Sequence, residues 1–257
     1  MCVIVYKPVG QNEPTISILE KCFKINPDGA GYMLPLNNKV VIRKGFMTFE
    51  EFKKDYYDFI YKNEIDVVKT PIVYHFRITT QGGVKRELTH PYPICDTYEE
   101  MRKCVNTCDI ALAHNGVISL TSQNWYYRKE QPTYNDTMTF IKDYASLLIA
   151  NNLYFASHKN TCILLERLIG ASRLAIMNKL GYVKLIGEFV KRDGIFYSNN
   201  HVFETPRTYV STYTPRYTSK DTYMDTNVHK SSDQIVDNDN DYSDYYDEEF
   251  LKKYGLI

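Results

Sequence analysis

Along residues 1–205 the chain passes repeatedly between short apolar runs and longer stretches of helical period. Residues 2–6 (Cys-Val-Ile-Val-Tyr) form a continuous apolar run and predict a buried strand. Residues 26–31 read as a turn or loop leading into a strand at Tyr32, and residues 40–44 predict a further strand. Thr48 caps a helix with Glu51 three residues on, and Phe49, Phe52, Tyr56 and Phe59 then recur on one helical face to about Asn63. Residues 72–78 and 110–113 predict strands, the second running out into His114-Asn115-Gly116, and Thr97 with Glu100 signals a short helix between them. Residues 136–150 have a helical period, and a second helix is expected from near Asn160 to Gly170. Residues 174–177, 182–186 and 195–198 predict successive antiparallel strands, joined by turns at 178–181 and at Arg192-Asp193-Gly194. Strands in two batches with helices between them predict an α+β fold in which helices cover stacked sheets.

This patterning stops near residue 205. Residues 206–249 are rich in Thr, Ser, Tyr, Asp and Asn, and the acidic stretch from Ser231 ends in Asp247-Glu248-Glu249. Such a composition buries too little apolar surface to offset the entropy of ordering, so residues 206–257 are expected to be a disordered acidic tail behind one domain at 1–205. The whole chain carries 31 basic and 31 acidic side chains, which removes any bulk electrostatic reason to expect a nucleic acid or a membrane as partner. No apolar run is long enough for a bilayer and no basic leader precedes the first strand, so a cytoplasmic protein with reduced cysteines is expected. Of the six cysteines, Cys104 and Cys108 are spaced to share a helix face. A metal site needs about four ligands, and no second close pair completes one here, so structural thiols are expected.

The residues with chemical potential stand at the ends of the predicted strands. Cys2 follows the initiator, and aminopeptidases remove Met1 when the next residue is small. The mature chain would then carry a thiol nucleophile and a free α-amino group on one residue, and that amine, with a pKa of about 7.7–8.0, exchanges protons near neutrality. Taken alone, Cys2 also reads as a small buried hydrophobe. The segment from His75 to Thr80 ends its strand with a guanidinium, Arg77, which alone is an ordinary surface charge. Asn115-Gly116 is a common tight turn, yet an Asn amide and a Gly N–H are also two donors for one oxyanion. Asn135-Asp136-Thr137 opens a helix, where Asn135 or Asp136 would serve as an N-cap.

In this order the pieces resemble the class II glutamine amidotransferase domain of the N-terminal-nucleophile hydrolases. The features that match are Cys2 after Met1, Gly29-Ala30-Gly31-Tyr32, His75-x-Arg77-x-x-Thr80, His90-Pro91, His114-Asn115-Gly116 and Asp136-Thr137, spread over residues 2–205. The resemblance implies a four-layer αββα sandwich of two antiparallel sheets. It implies Cys2 as nucleophile, with its own amine as base, and the Asn115 side chain and Gly116 backbone as oxyanion donors. Arg77 would pair with the α-carboxylate of glutamine, Asp136 would hold the α-ammonium, and Thr80 would lie beside the substrate. His90-Pro91 would order a loop over the pocket, and His75 and His114 would be structural. The implied reaction passes through a Cys2 γ-glutamyl thioester, releases ammonia and needs no cofactor or metal. Family members often have an aromatic residue and Ala after the strand Arg, where this chain has Ile78 and Thr79, which touches the detail of substrate binding. Only the tail is expected to follow, in place of an acceptor domain. Ammonia would therefore pass to a separate synthase subunit, or the chain would act alone as a glutaminase. Two alternatives remain: an N-terminal-nucleophile amidase for another amide, and a non-catalytic regulatory or binding subunit of the same fold.

Overall fold

The computed structural model describes residues 2–80, 83–121 and 133–203; the tail expected at 206–257 lies outside them. In chain order the described residues form β1 (Val3–Lys7), α1 (Ile16–Ile25), β2 (Ala30–Leu36), β3 (Lys39–Phe46), α2 (Phe49–Lys62), β4 (Ile72–Phe76), β5 (Tyr92–Pro93), α3 (Tyr98–Arg102), β6 (Val105–Cys108), β7 (Ile110–Asn115), α4 (Asp136–Phe140), α5 (Ser146–Ile149), α6 (Lys159–Ile169), β8 (Arg173–Asn178), β9 (Val183–Ile186), β10 (Val190–Arg192) and β11 (Ile195–Tyr197). A π-helical turn, Ile141–Ala145, joins α4 to α5, so the helix expected at 136–150 is one run with a widened middle. The helix α1 and the strands β5, β6 and β10 add to the expected set. Cys108 lies on β6 and Cys104 just before it, so the spacing of the two does not place them on one helix face.

Two antiparallel sheets stack face to face. The large sheet has the order β10-β11-β1-β4-β2-β3-β6, and the small sheet the order β5-β7-β8-β9. Side chains alternate across each strand, and the alternation sorts the core into layers. From β7 and β8, Ala111, Ala113, Ala175 and Met177 face the large sheet and pack on Ile4, Met33, Val40, Ile42 and Val73. Their neighbours Ile110, Leu112, Leu174 and Ile176 face the other way, onto Met138, Phe140, Ile141, Leu165 and Ile169 of the helices. The outer face of the large sheet is covered by α2, whose Phe52 and Tyr56 meet Tyr32, Tyr74 and Phe76 edge-on, and by α1, whose Phe23 meets Phe76. The layers are thus helix, sheet, sheet, helix. Small residues on the inner face of the small sheet let the sheets approach, and large ones outside fill the space under the helices. No helix among the described residues is long and apolar enough to cross a membrane.

Candidate active site

Cys2 stands immediately before β1. Val3 pairs with Phe76 of β4, so one further step of the antiparallel register sets Cys2 opposite Arg77. The thiol lies 3.4 Å from both the N–H and the carbonyl of Ile78, accepting from one and donating to the other. From the opposite side, the Asn199 amide donates to the Cys2 carbonyl at 2.7 Å. The residue is therefore clamped between β4 and the segment after β11. Burial pushes its thiol above the usual range, while the Ile78 N–H and the Arg77 charge oppose that shift.

Arg77 is buried, 3% exposed. Its backbone is splinted on both sides by the loop before β2, with Arg77 N–H donating to Gly29 O at 2.8 Å and Asp28 N–H donating to Arg77 O at 2.9 Å. Its Nη1 donates to Gly83 O at 2.9 Å. The Gly29-Ala30-Gly31 motif is thereby explained in part: a Cβ on Gly31 would overlap the His90 carbonyl. The glycine lets the small sheet's approach segment lie against β2.

On the small sheet, β7 runs out at Asn115. Its side chain crosses to the large sheet, where Nδ2 donates to Ser198 Oγ at 2.8 Å. The same hydroxyl accepts from Ile4 N–H at 2.8 Å, and Ser198 N–H donates to Ile4 O at 3.0 Å, two residues from Cys2. Gly116 follows at φ +138°, with Ser172 where a Cβ would project. Both facts demand glycine there.

Asn135 supplies the N-cap of α4, its Oδ1 accepting from Met138 N–H at 2.9 Å. That frees Asp136 for another task. Its Oδ2 accepts from Ile118 N–H at 2.9 Å, and its carbonyl accepts from the Thr121 hydroxyl at 2.8 Å. Asp136 thus holds down the loop that leaves Gly116.

A cavity of about 460 Å³ opens beside these elements, lined among others by Cys2, Thr80, Gly116, Leu120, Arg167 and Ser172. Of the six residues expected at the site, Cys2, Thr80 and Gly116 line this cavity. Arg77, Asn115 and Asp136 are buried and are not part of the lining. Burial pushes up the phenol of Tyr92, which donates to Leu88 O at 2.7 Å and accepts from Asn135 Nδ2 at 2.9 Å.

His75, His90 and His114 form a buried group behind the site. His75 Nε2 contacts His114 O at 2.9 Å, and Thr137 Oγ1 sits between His114 Nδ1 at 2.8 Å and His90 Nε2 at 3.2 Å. The His90 ring lies 4.3 Å from that of His75 and 4.6 Å from that of Tyr92. His90-Pro91 was expected to order a loop over the pocket. His90 is buried among these rings, and its peptide bond to Pro91 is cis.

Burial depresses the basicity of all three imidazoles, His75 to about 3. The neutral forms belong to the folded state, whereas unfolded histidine takes up a proton near pH 6.5. Stability from this source is therefore complete above about pH 6.5 and falls as the pH drops below it, by up to about 1.4 kcal/mol per pH unit for each histidine. Glu13, whose carboxyl is raised by burial, works in the opposite direction, so the contrast with a variant isolates the effect. Urea denaturation between pH 7.5 and 5 is expected to show a shallower acid decline for His75→Gln than for the parent chain. Parallel curves would remove the histidines from the explanation.

Ser198 and Asn199 were not anticipated as site residues. Their signal was available, because they are the polar end of a predicted strand, as are Arg77 and Asn115.

Comparison with known proteins gives a match in structure alone. No family model and no curated protein matches the sequence. Among solved structures that resemble it is a glutamine phosphoribosylpyrophosphate amidotransferase from B. subtilis complexed with ADP and GMP, at 18% identity and a TM-score of 0.44. Another is described as the allosteric regulatory enzyme of purine biosynthesis, at 17% identity and a TM-score of 0.44. Each match covers 79% of this chain and 43% of the other, so the chain spans less than half the length of either protein.

Proposed function

We propose that this chain hydrolyses the side-chain amide of glutamine, as a class II amidotransferase domain does, with Cys2 as the nucleophile once Met1 is removed. The observation that carries this reading is the convergence of Cys2 and Gly116, from strand ends in two different sheets, on one cavity, with Arg77 next to the thiol in the β1–β4 register. The Cys2 sulfur attacks the amide carbon of glutamine. Charge gathers on the carbonyl oxygen and is met by the Asn115 amide and the Gly116 N–H. The Cys2 amine delivers a proton to the leaving nitrogen, and ammonia departs from a γ-glutamyl thioester. Water, deprotonated by the same amine, then releases glutamate. Arg77 attracts the α-carboxylate and Asp136 the α-ammonium, with Thr80 at the rim. The ammonia passes to a separate synthase subunit or to solvent.

Three measurements on the purified chain test this together. Intact mass is expected to show loss of Met1, glutamine is expected to yield ammonia, and a glutamine-like electrophile is expected to label Cys2. A chain that keeps Met1 and neither reacts nor labels is a binding or regulatory subunit.

Arg77→Ala is expected to act mainly on binding. A hydrogen bond to a charged group contributes about 1.5–3 kcal/mol, so KM for glutamine should rise roughly 10- to 100-fold with a smaller change in kcat. Steady-state kinetics decide the point. A collapse of kcat at constant KM would reassign the residue.

One observation favours a second reading. Arg77 Nη1 is engaged by Gly83 O and Asp136 Oδ2 by Ile118 N–H, and neither residue lines the cavity. An amidase for an amide without a free amino-acid head group needs neither ion pair. Faster turnover of a simple acyl amide than of glutamine would select it.

A further inference from the structure

We infer that Ser198 is a positioning residue: its hydroxyl turns the Asn115 amide so that the N–H, and not the carbonyl, meets charge developing on the substrate. This rests on the glutamine-hydrolysis reading for its catalytic consequence, but its structural part stands on the hydrogen bonds alone.

Ser198 is 1% exposed and Asn115 fully buried. Ser198 Oγ receives the Ile4 N–H at 2.8 Å. In the structure it also receives Asn115 Nδ2 at 2.8 Å. Two donors then point at one oxygen, and the hydroxyl's own proton finds no acceptor among the described residues. At the same time Asn115 Oδ1, buried, has no partner among them. A buried acceptor without a donor is destabilising, and so is an unplaced hydroxyl proton. Both faults have one remedy. A half-turn of the Asn115 amide exchanges oxygen and nitrogen with almost no change of shape. The Ser198 O–H then donates to Oδ1 while its oxygen still accepts from Ile4, and Nδ2 moves to the position that the orphan oxygen held.

The sign of the consequence is large. An amide oxygen at that position would set a lone pair against an oxyanion, whereas an amide N–H donates to it. Ser198 favours the second because, with the Ile4 N–H on one of its lone pairs, its own proton meets Asn115 Oδ1 only when the amide is turned. Ile4 also ties this choice to β1, two residues from Cys2, so nucleophile and donor are set by one strand.

The test uses the full chain with Ser198→Ala and Ser198→Thr. Ser198→Ala is expected to lower kcat for ammonia release from glutamine about 10- to 100-fold, with KM within about twofold. Ser198→Thr, which keeps the hydroxyl, is expected to recover most of the loss. Alkylation of Cys2 by iodoacetamide, which forms no oxyanion, is expected to proceed at the parent rate in both. Unchanged kcat in Ser198→Ala, or a parallel fall in kcat and alkylation, overturns the positioning role. A second measurement is independent of activity: in the parent chain, nuclear Overhauser contacts from the Asn115 side-chain NH2 to Ser198 Hβ are expected to be absent. Strong contacts would place the nitrogen on Ser198 and overturn the inference even in an inactive protein. Absence of ammonia release from the parent chain, with the amide turned as inferred, would sink only the glutamine reading.

Discussion

Cys2→Ala is expected to reduce ammonia release from glutamine to background, a loss of at least about 10⁴-fold, because no other group can form the thioester. The variant separates chemistry from folding well. The side chain is only partly buried, and its polar contacts are the two 3.4 Å approaches to Ile78, so the stability change should stay within about 1 kcal/mol. Alanine is also small, so removal of Met1 proceeds as before and the free amine remains. Arg77 is untouched, and glutamine should still bind. Calorimetric titration of the variant with glutamine, run beside an ammonia assay, reads both halves. Retained turnover would eliminate Cys2 as the nucleophile. Loss of binding together with turnover would instead assign it to the shape of the pocket.

The second large effect is expected at Asn115. Removing one oxyanion donor slows acyl transfer by roughly 100- to 1000-fold, and Asn115→Ala should lose that much in kcat with KM little changed. A structural penalty accompanies it, since the buried Ser198 hydroxyl loses its partner across the sheets, at about 1–3 kcal/mol. The variant should therefore melt earlier but remain folded. Asn115→Asp distinguishes the donor from the packing. It preserves the shape and can still accept from Ser198, yet it offers a lone pair where an N–H is needed, so it should rescue stability more than rate. Full activity in Asn115→Asp would show that no donor is required at that position.

The α+β class and the main strands and helices could be read from local periodicity, since alternation at two or 3.6 residues records which face of an element is apolar. The helix α1 carries the same kind of signal, in the helical spacing of Ile16, Leu19 and Phe23. The short edge strands β6 and β10 were not readable, because their residues are largely exposed and carry no apolar alternation; pairing with β3 and β11 makes them strands. At the site, the strand ends that carry Cys2, Arg77 and Asn115 were marked by polar residues closing apolar runs.

By itself, then, the sequence determined the apolar period of each element and the polar residue at which each run stops. Tertiary structure alone decided which of those ends meet: Cys2 with Ile78 through the β1–β4 register, Asn115 with Ser198 across the two sheets, and Asp136 with the backbone of Ile118 instead of its own helix terminus. The physical reason is that periodicity is a property of neighbours in the chain. Register and sheet-on-sheet contact are set by side chains far apart in sequence, whose pairing has no local signature.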